Sequence, residues 1–228
     1  MKKIGIICAI ERELAPYIRD IQNAKSTSEA MLTFHEGYIG GVEVVAVYGG
    51  VCKVNAAIAT QLLITQHKVD RVIVSGVAGG IDPRLKIGDS VIATEVCYHD
   101  VAEGILTGYH PYMADAYFRP DPALLDRCRE TLCAAGQHKT YYGRIVTGEA
   151  FIDVDGREDI IERFNPLCVD METASIAHVC YVNRTPFLAV RSISDTPQES
   201  GMSTFDENCD YAAAQSYHLV KQLLEWVK

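Results

Sequence analysis

A chain of 228 residues, 48% hydrophobic and 22% charged, can bury a substantial core and reads as one domain spanning 1–228. Its formal net charge of −9 argues against a nucleic-acid backbone or an anionic membrane surface as partner. The 8 cysteines form no Cys-x-x-Cys pair, and the apolar start Ile4-Gly5-Ile6-Ile7-Cys8 is broken by Glu11, Arg12 and Glu13, so reduced thiols and a cytoplasmic location are expected, with no export signal, disulfide framework or zinc site.

In chain order, residues 3–10 form an apolar run of strand length, and 11–21 carry helical spacing at Leu14, Tyr17, Ile18 and Ile21. Residues 23–30 read as irregular. The runs 31–38 and 42–47, joined by Ile39-Gly40-Gly41, predict a hairpin. A helix over 53–66 has Ala56, Ala57, Ala59, Leu62 and Leu63 as its buried stripe. An apolar strand over 71–75 enters Gly76-Val77-Ala78-Gly79-Gly80, which reads first as a turn whose backbone lets a ligand approach closely. It is not Gly-x-Gly-x-x-Gly and no Lys-Ser/Thr follows, so it supports neither a dinucleotide site nor a Walker loop. Strands over 88–97 and 141–146 bracket a second irregular stretch, 107–121, and a helix over 121–135 opened by Pro122. A strand over 168–171 gives way to a helix over 174–181. A last strand covers 187–193, and Asp206 is the expected N-cap of a final helix reaching Trp226. The fold class is α/β: a three-layer αβα arrangement around a central mixed sheet.

Carboxylates end two of these strands. Glu172, in Val169-Asp170-Met171-Glu172-Thr173-Ala174, and Asp195, in Arg191-Ser192-Ile193-Ser194-Asp195, are expected on one rim, delivered there by neighbouring strands. Two acids so placed can divide polar recognition and proton transfer between them. Glu11 and Glu13 follow the first strand; alone, they are ordinary acidic decoration of a helix N-terminus. His99-Asp100 lacks the further ligands of a metal site. Phe151, after Gly148-Glu149-Ala150, is by itself a core residue or a stacking platform.

Taken in order, these segments resemble the 5′-methylthioadenosine/S-adenosylhomocysteine nucleosidases of the purine nucleoside phosphorylase superfamily. The set also includes Gly50-Val51-Cys52-Lys53-Val54-Asn55-Ala56-Ala57, Tyr98-His99-Asp100 and Ser203-Thr204-Phe205-Asp206-Glu207, and it covers nearly the whole chain. The resemblance implies hydrolysis of the N-glycosidic bond of a 5′-modified adenosine, with no metal and no cofactor. Glu13 would be the general base that activates water, Arg191 would orient that water and Glu13, and Asp195 would protonate the purine at N7. Glu172 would hold the ribose hydroxyls with Met171 against the sugar. Phe151 would stack on the base while the Ile152 main chain reads its edge, and Ile10 and Phe205 would line the 5′ side. Val77, Ala78 and Gly79 complete the binding set. The implied partners are a small purine nucleoside and a second copy of the chain, in a homodimer.

The chain departs from the family pattern twice. Val77 replaces a serine, and the segment after Asp100 runs Val101-Ala102-Glu103-Gly104-Ile105-Leu106-Thr107-Gly108-Tyr109-His110-Pro111. Glu103 and His110 point to a more polar 5′ group or a reshaped loop, and the aromatic stretch 107–121 is expected to cap the 5′ side of its own or the neighbour's pocket, or to serve dimer contact alone. The alternatives are a hydrolase or phosphorylase acting on another 5′-modified purine nucleoside, such as 5′-deoxyadenosine or an aminofutalosine-like one, and a silent nucleoside-binding protein. Against phosphorolysis, Glu11 and Glu13 would repel a phosphate dianion that Arg12 alone hardly offsets.

Overall fold

The computed structural model describes residues 3–131, 138–153 and 156–226. Its elements are β1 (Ile4–Cys8), α1 (Glu11–Asp20), β2 (Gln22–Glu29), β3 (Leu32–Ile39), β4 (Val42–Tyr48), α2 (Lys53–Thr65), β5 (Arg71–Gly80) and β6 (Ser90–Tyr98). There follow α3 (Ile105–Gly108), α4 (Pro122–Thr131), β7 (Thr140–Thr147), α5 (Arg157–Phe164), β8 (Cys168–Asp170), α6 (Thr173–Asn183), β9 (Phe187–Asp195) and α7 (Met202–Trp226). The expected end of the fourth helix, 132–135, and Cys133 lie outside the described residues.

One mixed sheet of nine strands runs β2-β3-β4-β1-β5-β8-β7-β6-β9, and β9 pairs again with β5. Half the sheet is therefore open, while β5, β8, β7, β6 and β9 close into a ring. The apolar faces of α1, α4 and α7 (Leu14, Tyr17, Leu124, Val220, Leu223) cover one side. Those of α2 and α6 (Ala56, Ala59, Leu63, Ile176, Ala177) cover the other. This is the expected three-layer arrangement with a mixed sheet.

Four local expectations need correction. Residues 22–29 are not irregular but form β2, an edge strand exposed at every position and paired antiparallel to β3. With neither face buried there is no alternation to read, and its turn uses Ala30 and Met31 at positive φ where glycine or asparagine would have signalled a hairpin. The glycine cluster is not a turn: β5 runs straight through Gly76 and on to Gly80, held by β9 on one edge and by β8 at its end. Asp206 is not an N-cap, because α7 starts at Met202; its carboxylate and carbonyl instead receive Arg12. Finally, β8 and β9 are not paired neighbours. Both pair with β5, β9 parallel and β8 antiparallel, so their ends meet through closure of the ring. The stretch 107–121 does lack long elements, holding only the end of α3 and a bridge between Val96 and Phe118.

Candidate active site

Strand β5 sets the length of the site. Gly76 faces Arg191 across the β5–β9 ladder, and three residues on Gly79 faces Asp195. At a rise of about 3.3 Å per residue these levels stand roughly 10 Å apart. One extra residue in β9, Ser194, separates the Ala78–Ile193 and Gly79–Asp195 pairs, a bulge that re-aims the strand end beside the cavity. Both glycines are needed for closeness. A Cβ on Gly76 would collide with Oε1 of Glu13 and Nη1 of Arg191, and one on Gly79 would stand 3.1 Å from Oδ2 of Asp195.

At the Gly76 level the site is dense in charge. Glu13, in the first turn of α1, reaches back so that Oε2 accepts the N–H groups of Ala9 (2.7 Å) and Ile10 (3.0 Å), while Oε1 accepts that of Val77 (2.7 Å). Arg191 is fully buried and fans out to three acids: Nε to Asp170 at 2.9 Å, Nη2 to Glu172 at 3.3 Å and Nη1 to Glu13 at 3.8 Å. Glu172 ends the β8 segment as N-cap of α6, and its Oε1 accepts Cys52 N–H at 3.0 Å. Asp170 takes the Thr147 hydroxyl at 2.6 Å, the N–H groups of Glu172 and Thr173, and the Thr173 hydroxyl. Burial works against the charge of Arg191, but Asp170, Glu172 and Glu13 hold its pKa above the usual value. Burial raises the carboxyl of Glu13, against the pull of Arg191 and three N–H donors. Burial likewise raises Glu172, opposed first by Arg191.

The Gly79 level is different. Oδ1 of Asp195 accepts the Ser194 hydroxyl at 2.8 Å, while Oδ2 is buried with no hydrogen-bond partner among the described residues. Burial pushes this carboxyl up, against the Ser194 hydroxyl and the more distant Arg157 cation. An acid so raised holds its proton longer, the condition a proton donor needs.

Between the two levels lies a cavity of about 320 Å³, the size of small-molecule sites. Ile10, Glu13, Val77, Ala78, Gly79, Phe151, Ile152, Met171, Glu172, Asp195 and Phe205 all line it; Arg191 does not, its Nη1 lying against Gly76 and 3.8 Å from Glu13. Phe151 meets Phe205 edge to face at 6.3 Å. Glu11 is exposed and Arg12 is tied to Asp206 and Asp210, so neither takes part. Val77 puts an apolar side chain among Ile10, Phe205 and Cys209. Ser75 does not substitute for a hydroxyl there, because it is buried between Tyr17 and Ser216. No residue of 101–121 lines the cavity of its own chain, so Glu103, His110 and the loop stand outside this pocket wall.

Sequence reasoning missed Asp170, although a carboxylate inside an apolar strand is itself a signal. It also left Lys53, Asp100 and Glu149 unassigned. The Lys53 ammonium binds Asp100 (2.9 Å), Lys53 N–H binds Glu149 Oε1 (3.0 Å), and Glu149 N–H binds Asp100 (3.0 Å). This clasp fixes the main chain two residues before Phe151. Among the described residues no group of His, Cys, Asp and Glu could hold a metal ion.

The fold and the paired acids define an enzyme of the phosphorylase superfamily, whose family model matches residues 3–225. A 5′-methylthioadenosine/S-adenosylhomocysteine nucleosidase of Exiguobacterium is 40% identical over 96% of this chain and 95% of its own length. The nucleosidase of Colwellia psychrerythraea, solved with adenine, superposes with a TM-score of 0.89 at 38% identity, covering 98% of this chain and 94% of that one. That of Neisseria meningitidis, solved with methylthio-immucillin-A, gives 0.91 at 32%, covering 99% and 100%. The chain belongs to the family of 5′-methylthioadenosine/S-adenosylhomocysteine nucleosidases and is an N-glycosyl hydrolase.

Proposed function

We propose that the protein cleaves the N-glycosidic bond of a 5′-modified adenosine, methylthioadenosine or S-adenosylhomocysteine, and releases adenine. The observation that carries this reading is the division of acids along β5: a carboxylate that accepts three N–H groups at one level and, at the other, one with an oxygen unpartnered among the described residues. Such a bond breaks through an oxocarbenium-like centre, and adenine leaves well only as a neutral ring, so an acid is needed at N7. Asp195 supplies that proton. Glu13 draws a proton from the attacking water, which Arg191 helps to orient. Glu172 binds the ribose 2′ and 3′ hydroxyls, Met171 packs on the sugar, Phe151 stacks on the base and the Ile152 main chain reads its edge. Ile10, Val77 and Phe205 give the 5′ substituent an apolar wall.

Water is the nucleophile because the donors around Glu13 are already engaged. The N–H groups of Ala9, Ile10 and Val77 all serve Glu13, and Arg191 is shared among three carboxylates. The working unit in this reading is a cytoplasmic homodimer. Val54, Ile58, Tyr181 and Val182 stand exposed on the packed pair α2 and α6, and Tyr109 and Tyr112 are exposed on a loop whose Phe118 touches Tyr181. A second copy covering these apolar groups would remove them from water, and the proposed place of the 107–121 loop in that dimer is the neighbour's 5′ pocket. The test is free-base release from a panel of 5′-substituted adenosines, with and without inorganic phosphate. Adenine release unchanged by phosphate is expected; release that requires phosphate would overturn hydrolysis.

A further inference from the structure

The donors around Glu13 are fixed without it. Ala9 lies at the β1–α1 junction, where its carbonyl accepts the Gly50 N–H at 3.0 Å. Val77 sits inside the β5–β9 ladder, and Arg191 is anchored by Asp170 at 2.9 Å and by Glu172 at 3.3 Å. Three main-chain N–H groups from two separate elements thus converge with a fully buried guanidinium on one carboxylate. Convergent main-chain N–H groups form anion-binding concavities whatever anion fills them. The missing Cβ of Gly76 leaves room for the carboxylate, which lies where that Cβ would be.

We propose that the chain carries an oxyanion cradle, built by the N–H groups of Ala9, Ile10 and Val77 with Arg191, of which the Glu13 carboxylate is the tethered occupant. An external small carboxylate such as formate takes its place when the Glu13 side chain is cut back. The cradle is a binding site in its own right; only its effect on turnover rests on Glu13 being the general base. In that role, formate accepts one proton of the attacking water as the water oxygen bonds to C1′. The C1′–N9 bond breaks with its electron pair going to the base, Asp195 delivers its proton to N7, and formic acid leaves to solvent. The cradle accounts for the choice of nucleophile: its donors are spent on a group the chain supplies, so no dissolved anion competes with water.

The test uses the full chain with Glu13→Ala, and with Glu13→Gln as a variant that keeps the space filled. Thermal midpoints are recorded against rising formate, with chloride at equal ionic strength as control. Formate is expected to raise the midpoint of Glu13→Ala saturably while leaving wild type and Glu13→Gln at their chloride values. Should Glu13→Ala be unfolded in chloride, refolding in formate alone supports the cradle. No difference between formate and chloride for Glu13→Ala, or an equal formate effect on wild type, overturns it. Base release is then measured on the same samples. Formate should restore about tenfold of the ~100- to 10,000-fold that a general base is worth. A formate-dependent midpoint without restored turnover leaves the cradle standing and removes Glu13 from the base role.

Discussion

Glu13 and Asp195 are both buried acids on one cavity, yet their surroundings differ in kind. Glu13 is met by three N–H groups and faces a guanidinium 3.8 Å away. Asp195 has one hydroxyl at Oδ1 and, among the described residues, no partner at Oδ2. Burial raises both carboxyls, but Glu13 has a close cation and three N–H donors favouring its ionised form, where Asp195 has one hydroxyl and the more distant Arg157. Proton acceptor and proton donor are therefore separated by their partners, not by residue type. The tilt is built into the main chain, because the donors at Glu13 are peptide groups of β5 and of the turn before α1.

Removing the donor breaks the contrast most sharply. Asp195→Asn keeps the shape but holds no acidic proton, so kcat should fall ~100- to 10,000-fold. Nucleoside affinity should stay within about tenfold, roughly 1.4 kcal/mol, by calorimetry. Turnover close to wild type would remove Asp195 from the mechanism. A smaller effect is expected at Glu172, which shares Arg191 with Glu13 and lines the same cavity. Glu172→Gln should cost ribosides about 10- to 100-fold in kcat/KM, the worth of hydrogen bonds to a charged group, and 2′-deoxy substrates distinctly less. Equal losses would show that the carboxylate does not read the hydroxyls.

The smallest effect concerns stability. Because the Asp195 carboxyl is raised in the native state, the unfolded chain ionises first as pH climbs above the ordinary carboxylate range. Over that window the unfolded state binds fewer protons, so native stability falls with rising pH. Asp195→Asn lacks this contribution and should gain on wild type over the same window, at about 1.4 kcal/mol for each unit of displacement. Urea denaturation in pH steps measures the difference. A gain toward low pH instead would mean that the native site favours the ionised carboxylate.

Much of this site was legible in the sequence because its acids stand at the ends of apolar runs, where strand and helix periods change. Glu172 and Asp195 were visible in that way, and the ordered motifs supplied Glu13, which looks like helix decoration alone. Strand order and ring closure were not legible. β8 pairs with β5 through only two residue pairs, Gly79–Val169 and Gly80–Cys168, and no local pattern marks so short a ladder. The course of β5 through its glycines was hidden for a related reason. Those glycines are required by the side chains opposite them, which are distant in sequence, and β2 escaped notice because it buries nothing.

The closed ring leaves the strands that line the cavity, β5, β8 and β9, without a free seam between them. An open sheet can admit a ligand by splaying a strand at its margin, whereas β5 and β9 are gripped on both edges and have no margin. The rest of the cavity wall comes from outside the sheet, from Ala150, Phe151 and Ile152 after β7 and from Met202 and Phe205 at the start of α7. The clasp of Lys53, Asp100 and Glu149 sits at the root of the first of these, so a paired sheet edge fixes one part of the pocket wall and three polar contacts fix the other.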